Sequence, residues 1–205
     1  MLIYIIRHGE TYGNINGDGF SETDLTPRGE AQARLLGERF KNEKIDCIYT
    51  SPLTRALKTT AEIKKYHKDV PVKVNSIFLE KGTPADYSGL SPEKIYELLP
   101  EAQVEKLFPL GEENSEKAYE RAKEIIEKIK AENDFSATVV IVAHGTFNSF
   151  LVLGALGFEN KENFNFSHLN TGVTLVNYLY EDGVLKTKLK FLNDTSHLTK
   201  ELRNQ

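Results

Sequence analysis

Two histidine-glycine steps, far apart in the chain, each follow a run of apolar residues. The first histidine is His8, after the run 2–6, and the second is His144, after the run 138–143. Both runs have the length and β-branched composition of buried strands. Ligands of open parallel sheets bind beyond the carboxyl ends of the strands, so both histidines are expected at one edge of a sheet. The glycine after each histidine permits a tight turn and the close approach of a ligand.

Two arginines accompany these steps. Arg7 precedes the first histidine, and Arg55 lies in the first turn of a helix predicted to begin near Pro52. A cation at this end of a helix is unfavourable by ~0.3–1 kcal/mol, because the helix dipole favours anions there. Paired guanidinium groups match the oxygens of a phosphate group, which predicts a phosphate site. The alternatives are a surface role for Arg55 and a zinc site, for which the sequence offers no HExxH motif or cysteine pair.

Composition narrows the class of protein. The chain has 205 residues, 40% hydrophobic and 27% charged, with a formal net charge of -4. This balance argues against a general nucleic-acid binder. Cys47 is the single cysteine, which excludes an internal disulfide and fits a reducing compartment such as the cytoplasm. Apolar runs are too short for a membrane span, and Arg7 comes too early for a signal peptide. We therefore expect one domain over 1–205, without nucleic-acid or membrane partners.

Strand and helix patterns alternate along the chain. Strands are predicted at 2–6, 46–50, 70–74, 138–143, 172–180 and 184–192, and helices at 27–42, 52–67, 92–99, 115–132 and 146–156. Thr26 and Asn114 are expected to cap helices, and Gly183 belongs to a hairpin turn. The pattern predicts an α/β fold, a three-layer α/β/α sandwich with a mostly parallel central sheet and one antiparallel strand. Residues 13–19 are expected to form a loop, and 76–111 an irregular, lid-like excursion.

The residues that could do chemistry also carry a family resemblance. The chain resembles the histidine phosphatase superfamily, the phosphoglycerate mutase-like proteins of branch 1, nearly from end to end. The similar segments, in the family order, are Arg7–Thr11 with Asn14, Gly19 and Phe20 with Leu25, Thr26 and Gly29, Tyr49–Ala56 with Thr59–Ala61, Ala143–Gly145, and Leu192–Asp194 with His197 and Leu198.

The resemblance implies a mechanism without metal or cofactor. His8 would be the nucleophile that attacks phosphorus and forms a phosphohistidine, with its other ring nitrogen held as a donor by a backbone carbonyl. Arg7, Arg55 and His144 would surround the phosphoryl group and stabilise the charge on its oxygens. Asn14 and Gly145 would complete the substrate-binding set. For Asn14, a purely local role in the turn stays open.

A general acid is also implied by the resemblance. The family takes it from a Leu-x-Glu segment after the third strand, where this chain has Glu80. One carboxylic acid with a raised pKa can protonate the leaving group and then activate water. The chain departs from the family pattern at Pro84, where Gly is usual, and at Ser88, where Glu is usual. Asp86 is therefore the reserve candidate for the acid.

Three functions fit these residues. The first is a phosphomonoesterase acting on small phosphorylated metabolites, the second is a phosphoglycerate mutase, and the third is a non-catalytic domain that binds phosphorylated ligands. A mutase must bind a second anionic group, but the segment 76–111 has few cations beyond Lys81 and Lys94, and the chain is shorter than the glycolytic mutases it resembles. The cation-poor wall favours the phosphatase. The retained nucleophile and acid argue against a mere binder. The substrate and the oligomeric state stay open.

Four other features are expected to be structural. His67 and His168 are predicted to be surface or packing residues, and His197 to make a structural hydrogen bond. The Lys/Glu-rich helix 115–132 is predicted to present a solvated face with i,i+4 pairs.

Overall fold

A seven-stranded sheet forms the centre of the molecule. The computed structural model describes residues 1–17, 22–159 and 165–203. The strands are β1 (Leu2–Arg7), β2 (Cys47–Thr50), β3 (Val72–Val74), β4 (Gln103–Val104), β5 (Thr138–Ala143), β6 (Val173–Glu181) and β7 (Val184–Asp194). Their order is β4-β3-β2-β5-β1-β6-β7. Only β6 runs against its neighbours β1 and β7, which confirms the mostly parallel sheet with one antiparallel strand.

Helices cover both faces of this sheet. They are α1 (Tyr12–Asn16), α2 (Pro27–Phe40), α3 (Thr54–Lys64), α4 (Pro92–Leu98), α5 (Ser115–Glu132) and α6 (Gly145–Leu156). Successive residues of a strand point to opposite faces, so β1 contributes to two cores. Ile3 and Ile5 pack with α5 and α6, whereas Tyr4 and Ile6 pack with α2, α3 and α4. The resulting three layers confirm the predicted fold class.

Capping side chains fix where two helices begin. The hydroxyl of Thr26 accepts a hydrogen bond from the N–H of Gly29, and the side chain of Asn114 accepts one from Lys117. Each bond satisfies an amide that the helix itself leaves free. Both predicted caps are therefore confirmed.

Two sequence expectations need correction. The predicted loop 13–19 is in fact the short helix α1 over its first part, because Thr11 and Asn14 form a capping box, and Gly17 ends the helix with φ 75°. Gly19 and Phe20 lie outside the described residues. The excursion 76–111 is more regular than expected, since its chain returns to pair as β4 beside β3.

The chain after β1 is held by unusually close backbone packing. The N–H of Gly9 donates to the hydroxyl of Thr59 over 3.0 Å. A Cβ atom on Gly29 would lie 2.0 Å from the carbonyl oxygen of Glu10, so only glycine fits there. The Glu10 carboxylate accepts a bond from Thr26 and pairs with Arg28. The start of α2 therefore fixes the position of the segment that follows β1.

No helix within the described ranges 1–17, 22–159 and 165–203 is long and apolar enough to cross a membrane.

Candidate active site

The two predicted histidines meet at one edge of the sheet. Strands β1 and β5 are parallel neighbours, with Arg7 opposite Ala143 in the register. His8 directly follows β1 and His144 directly follows β5, and both histidines are buried. Their ring centroids lie 5.2 Å apart. This arrangement confirms the expectation that both strands end at a common edge.

The tautomer of His8 follows from its hydrogen bond. Its Nδ1 lies 2.7 Å from the carbonyl oxygen of Gly9. A carbonyl oxygen can only accept, so Nδ1 carries the proton and Nε2 keeps a lone pair. Burial, and after it the charges of Arg55 and Arg7, hold the pKa of His8 well below its usual range. His8 is therefore neutral near pH 7, with an unprotonated ring nitrogen available.

His144 is the opposite tautomer. Its Nδ1 accepts a hydrogen bond from Nε of Arg55 over 3.3 Å, since a guanidinium can only donate. Nε2 then carries the proton and lies 2.8 Å from the hydroxyl oxygen of Ser51. Burial, followed by the charge of Arg55, holds the pKa of His144 well below its usual range. His144 is thus a neutral donor. Ser51 was not among the residues predicted for the site.

The guanidinium of Arg7 has one bonded nitrogen and one nitrogen without a partner among the described residues. Its NH1 donates to the carbonyl oxygen of His168 over 2.7 Å. Its Nε is buried and has no hydrogen-bond partner within the described parts of the chain. A Cβ on Gly145 would lie 3.2 Å from this Nε, so the glycine leaves room for the guanidinium. Gly145 therefore lies against Arg7.

The site carries excess positive charge. Arg55 is only 2% exposed. Burial lowers the pKa of Arg7 and that of Arg55, and Arg55 lowers the pKa of Arg7 further, although Glu80 opposes both effects. A bound anion would relieve the repulsion between the two guanidinium groups. The electrostatics therefore match the predicted site for phosphate.

The carboxylate of Glu80 lies against the N-terminus of α6. It accepts hydrogen bonds from the N–H groups of Phe147 at 2.8 Å, Lys81 at 2.9 Å and Thr146 at 3.1 Å. The backbone bonds favour the charged form, but burial outweighs them and raises the pKa of Glu80. Asp86, the reserve candidate, is exposed. Burial beside the two arginines makes Glu80 the better candidate for a proton donor.

Asn14 connects to the same centre through another asparagine. The Oδ1 of Asn14 accepts from the N–H of Thr11 and from Nδ2 of Asn170, at 3.1 Å and 3.2 Å. Nδ2 of Asn170 also lies 3.0 Å from the carbonyl oxygen of His8. Asn14 is thus near His8, and it also has the local capping role that the sequence left open. Asn170 was missed because it lies in a segment without a periodic pattern.

Part of the excursion 76–111 covers this edge. A Cβ on Gly89 would lie 2.3 Å from Cγ of Pro52, so the excursion packs tightly on the chain that leads into α3. The hydroxyl of Tyr87 donates to Glu22 over 3.0 Å, and Glu22 also accepts from the N–H of Thr54 over 2.9 Å. The excursion therefore forms one wall of the site.

The remaining histidines separate into two groups. His197 bonds to Thr171 and lies within bonding distance of Arg39, which fits the structural role expected for it. His67 bonds to the carbonyl of Phe40. His168 is different, because it is 5% exposed and neither ring nitrogen has a partner among the described residues. The Oδ1 and Nδ2 atoms of the buried Asn148 also have no hydrogen-bond partner among the described residues.

The described residues contain no group of three or more His, Cys, Asp or Glu side chains that could hold a metal ion.

Two buried histidines and two arginines at the carboxyl edge of an α/β/α sandwich define a site for an anionic ligand. The family model described as the histidine phosphatase superfamily (branch 1) matches residues 3–190, and the chain belongs to this family.

Relatives within the family have more than one activity. The chain is 28% identical over 205 residues to phosphoserine phosphatase 1 of Hydrogenobacter thermophilus, covering 96% of this chain and 93% of the relative. It is 29% identical over 199 residues to a 2,3-bisphosphoglycerate-dependent phosphoglycerate mutase of Bartonella quintana, covering 91% and 96%. The alignment spans nearly the whole of this mutase, so chain length alone does not distinguish the two activities.

Solved structures agree with the fold. The crystal structure of phosphoserine phosphatase in complex with 3-phosphoglyceric acid, from Entamoeba histolytica, superposes with a TM-score of 0.68 at 27% identity, covering 97% of this chain and 99% of that one.

Proposed function

We propose that this protein is a phosphomonoesterase that hydrolyses small phosphorylated metabolites through a phosphohistidine on His8, without a metal. The observation that carries the proposal is the bond from Nδ1 of His8 to the carbonyl of Gly9, at 2.7 Å. It leaves the lone pair of Nε2 in a site bounded by Arg7 and Arg55. A neutral nucleophile beside two fixed cations is suited to attack on a phosphate dianion.

The first chemical step forms the phosphohistidine. Nε2 of His8 bonds to phosphorus, and the bond from phosphorus to the ester oxygen breaks. The proton of Glu80 passes to the departing alkoxide, which leaves as an alcohol. Arg7, Arg55 and the Nε2–H of His144 stabilise the charge on the phosphoryl oxygens.

The second step regenerates the enzyme. Water adds to phosphorus as the bond to Nε2 breaks, and a water proton returns to Glu80, which is now a carboxylate. The products are inorganic phosphate and the starting protonation state. Both steps use the raised pKa of Glu80, which burial produces against three backbone hydrogen bonds.

The charges of the excursion support a phosphatase over a mutase. Residues 76–111 contain no arginine, and their lysines are Lys81, Lys94 and Lys106. Lys94 and Lys106 are exposed, and Lys81 is half-buried. A mutase needs a second fixed anion site for the rest of its substrate. Phosphoserine and 3-phosphoglycerate are the first substrates to test, because similar proteins carry these compounds in their names. The single buried cysteine, Cys47, supports a cytoplasmic location.

The test is hydrolysis by the purified protein in EDTA, with p-nitrophenyl phosphate, phosphoserine and 3-phosphoglycerate as substrates. We expect release of phosphate and acid-labile phosphate on the protein during turnover. Changing His8→Ala should abolish both, whereas His67→Ala, the matched histidine outside the site, should retain activity.

Full activity of the His8→Ala variant would refute the nucleophile. Loss of activity in EDTA that added metal restores would refute the metal-independent mechanism. Rapid interconversion of 2- and 3-phosphoglycerate with little phosphate released would identify a mutase instead.

A further inference from the structure

We propose that Arg121, paired with Glu113, is a positioning residue that holds Glu80 in place for proton transfer to the leaving group. The inference rests on the proposed function and extends it to a residue of α5. The sequence predicts a solvated Lys/Glu-rich face for this helix, but the side chain of Arg121 is only 10% exposed.

Arg121 forms a buried, two-point ion pair. Its Nε and NH2 donate to the two carboxylate oxygens of Glu113, over 2.7 Å and 2.5 Å. The two side chains are only 10% and 8% exposed. This bidentate geometry fixes the plane of the guanidinium, which a lysine ammonium could not do.

The rest of the guanidinium holds the chain that leads into Glu80. NH1 of Arg121 donates to the carbonyl oxygens of Ile77, at 2.6 Å, and Leu79, at 3.1 Å. Leu79 directly precedes the proposed acid. Its backbone is therefore fixed by a charged donor that is itself fixed by Glu113.

The same guanidinium also contacts the other side of the acid. Its Cζ lies 3.7 Å from the ring centroid of Phe147, a close cation–π contact. The N–H of Phe147 donates to Glu80 over 2.8 Å. Arg121 thus touches both the segment before Glu80 and the residue whose amide binds its carboxylate. Displacing the guanidinium would loosen both supports of the acid.

A positioning role differs from a merely structural one in its dependence on the leaving group. Protonation matters greatly for a poor leaving group, such as the alkoxide of phosphoserine, and little for p-nitrophenolate. A general loss of folded protein would lower both rates equally. The ratio of the two kcat values therefore isolates the effect on the acid.

The experiment compares kcat for phosphoserine and p-nitrophenyl phosphate in Arg121→Met, which keeps the aliphatic stem, and in Glu113→Gln, which keeps the shape of the partner. Lys117→Met, on the exposed side of α5, is the control. We expect kcat for phosphoserine to fall about 10-fold or more, and kcat for p-nitrophenyl phosphate to fall less than about 3-fold. The alkaline limb of the pH profile should shift in the same variants.

Glu80→Gln sets the scale of the effect. If it changes the ratio of the two kcat values but Arg121→Met and Glu113→Gln do not, the positioning role is refuted and the proposed acid stands. If Glu80→Gln lowers both rates equally, the acid role of Glu80 fails, and the positioning role fails with it. If the wild type hydrolyses neither ester, the proposed function itself fails. Should Arg121→Met not fold by circular dichroism, Glu113→Gln and Arg121→Lys decide the same comparison.

Discussion

At the scale of single residues, His168, which lies beside Arg7 and whose ring nitrogens have no partner among the described residues, makes stability depend on pH. Burial, and after it the charge of Arg7, lower the pKa of His168 to about 4. The unfolded chain binds a proton on this histidine below about pH 6.5. Above that pH, His168 is neutral in both states and does not change the free energy of unfolding. As the pH falls towards 4, only the unfolded chain gains the proton, so the free energy of unfolding falls by about 3 kcal/mol.

The variant His168→Gln should remove this part of the pH dependence. Urea unfolding from about pH 7 to about pH 4 should show the wild type losing about 3 kcal/mol more than the variant. His67→Gln controls for the loss of a histidine elsewhere. Parallel curves for the wild type and His168→Gln would contradict the prediction.

Residues that directly follow a buried strand have positions that the sequence predicts. His8 and His144 were located because each follows a buried apolar run, and Arg55 because it lies in the first turn of a helix. Arg121 was missed because its partners include the carbonyl oxygens of Ile77 and Leu79, far away in the chain. Spacing along a helix indicates side-chain pairs but not contacts with a distant backbone.

At the scale of the elements, the contact between α2 and the segment after β1 predicts how a methyl group added at Gly29 changes the stability of the protein. Alanine in place of glycine usually stabilises a helix by about 0.5–1 kcal/mol. At Gly29 the new Cβ would lie 2.0 Å from the carbonyl oxygen of Glu10, so part of the backbone must move. Gly29→Ala should therefore destabilise the protein by about 1–3 kcal/mol.

Urea unfolding distinguishes the two effects because they have opposite signs. Arg34→Ala, an exposed change on the same helix, should stay within about 0.5 kcal/mol of the wild type. If the Gly29→Ala protein is more stable than the wild type, the backbone after β1 moves at little cost, and the prediction is wrong.

Long, periodic elements were predictable, and two of the short elements, β4 and α1, were not. The bounds of α5 and β5 agree with the sequence pattern within a residue. The two-residue strand β4 has too few positions to show a period, and α1 depends on a capping bond from Asn14 rather than on apolar spacing. Tertiary pairing and local caps therefore decide the elements that periodicity does not reveal.

At the scale of the whole molecule, the two like charges of Arg7 and Arg55 at one edge of the sheet should make the folded state bind phosphate. A ligand at about 100 times its Kd stabilises a protein by about 2.7 kcal/mol. For a chain of this size, that corresponds to a rise in Tm of about 5–10 °C. Inorganic phosphate should produce this rise in the wild type.

Differential scanning fluorimetry with inorganic phosphate measures the effect. Arg7→Met and Arg55→Met should lose the rise, and Arg34→Met should keep it. An equal rise in all four proteins would mean that phosphate acts only as a stabilising salt.

The pairing of β1 with β5 has a consequence for how this family can diversify. Adjacent strands lie about 4.8 Å apart, so backbone hydrogen bonds alone set most of the distance between the two imidazole rings. That distance is 5.2 Å between ring centroids. Beyond Glu80, the excursion can lengthen, shorten or change its charges over evolution while the two histidines keep their spacing. The spacing of the two histidines and the charges that select a substrate are thus encoded in different segments of the chain, and one can change while the other is preserved.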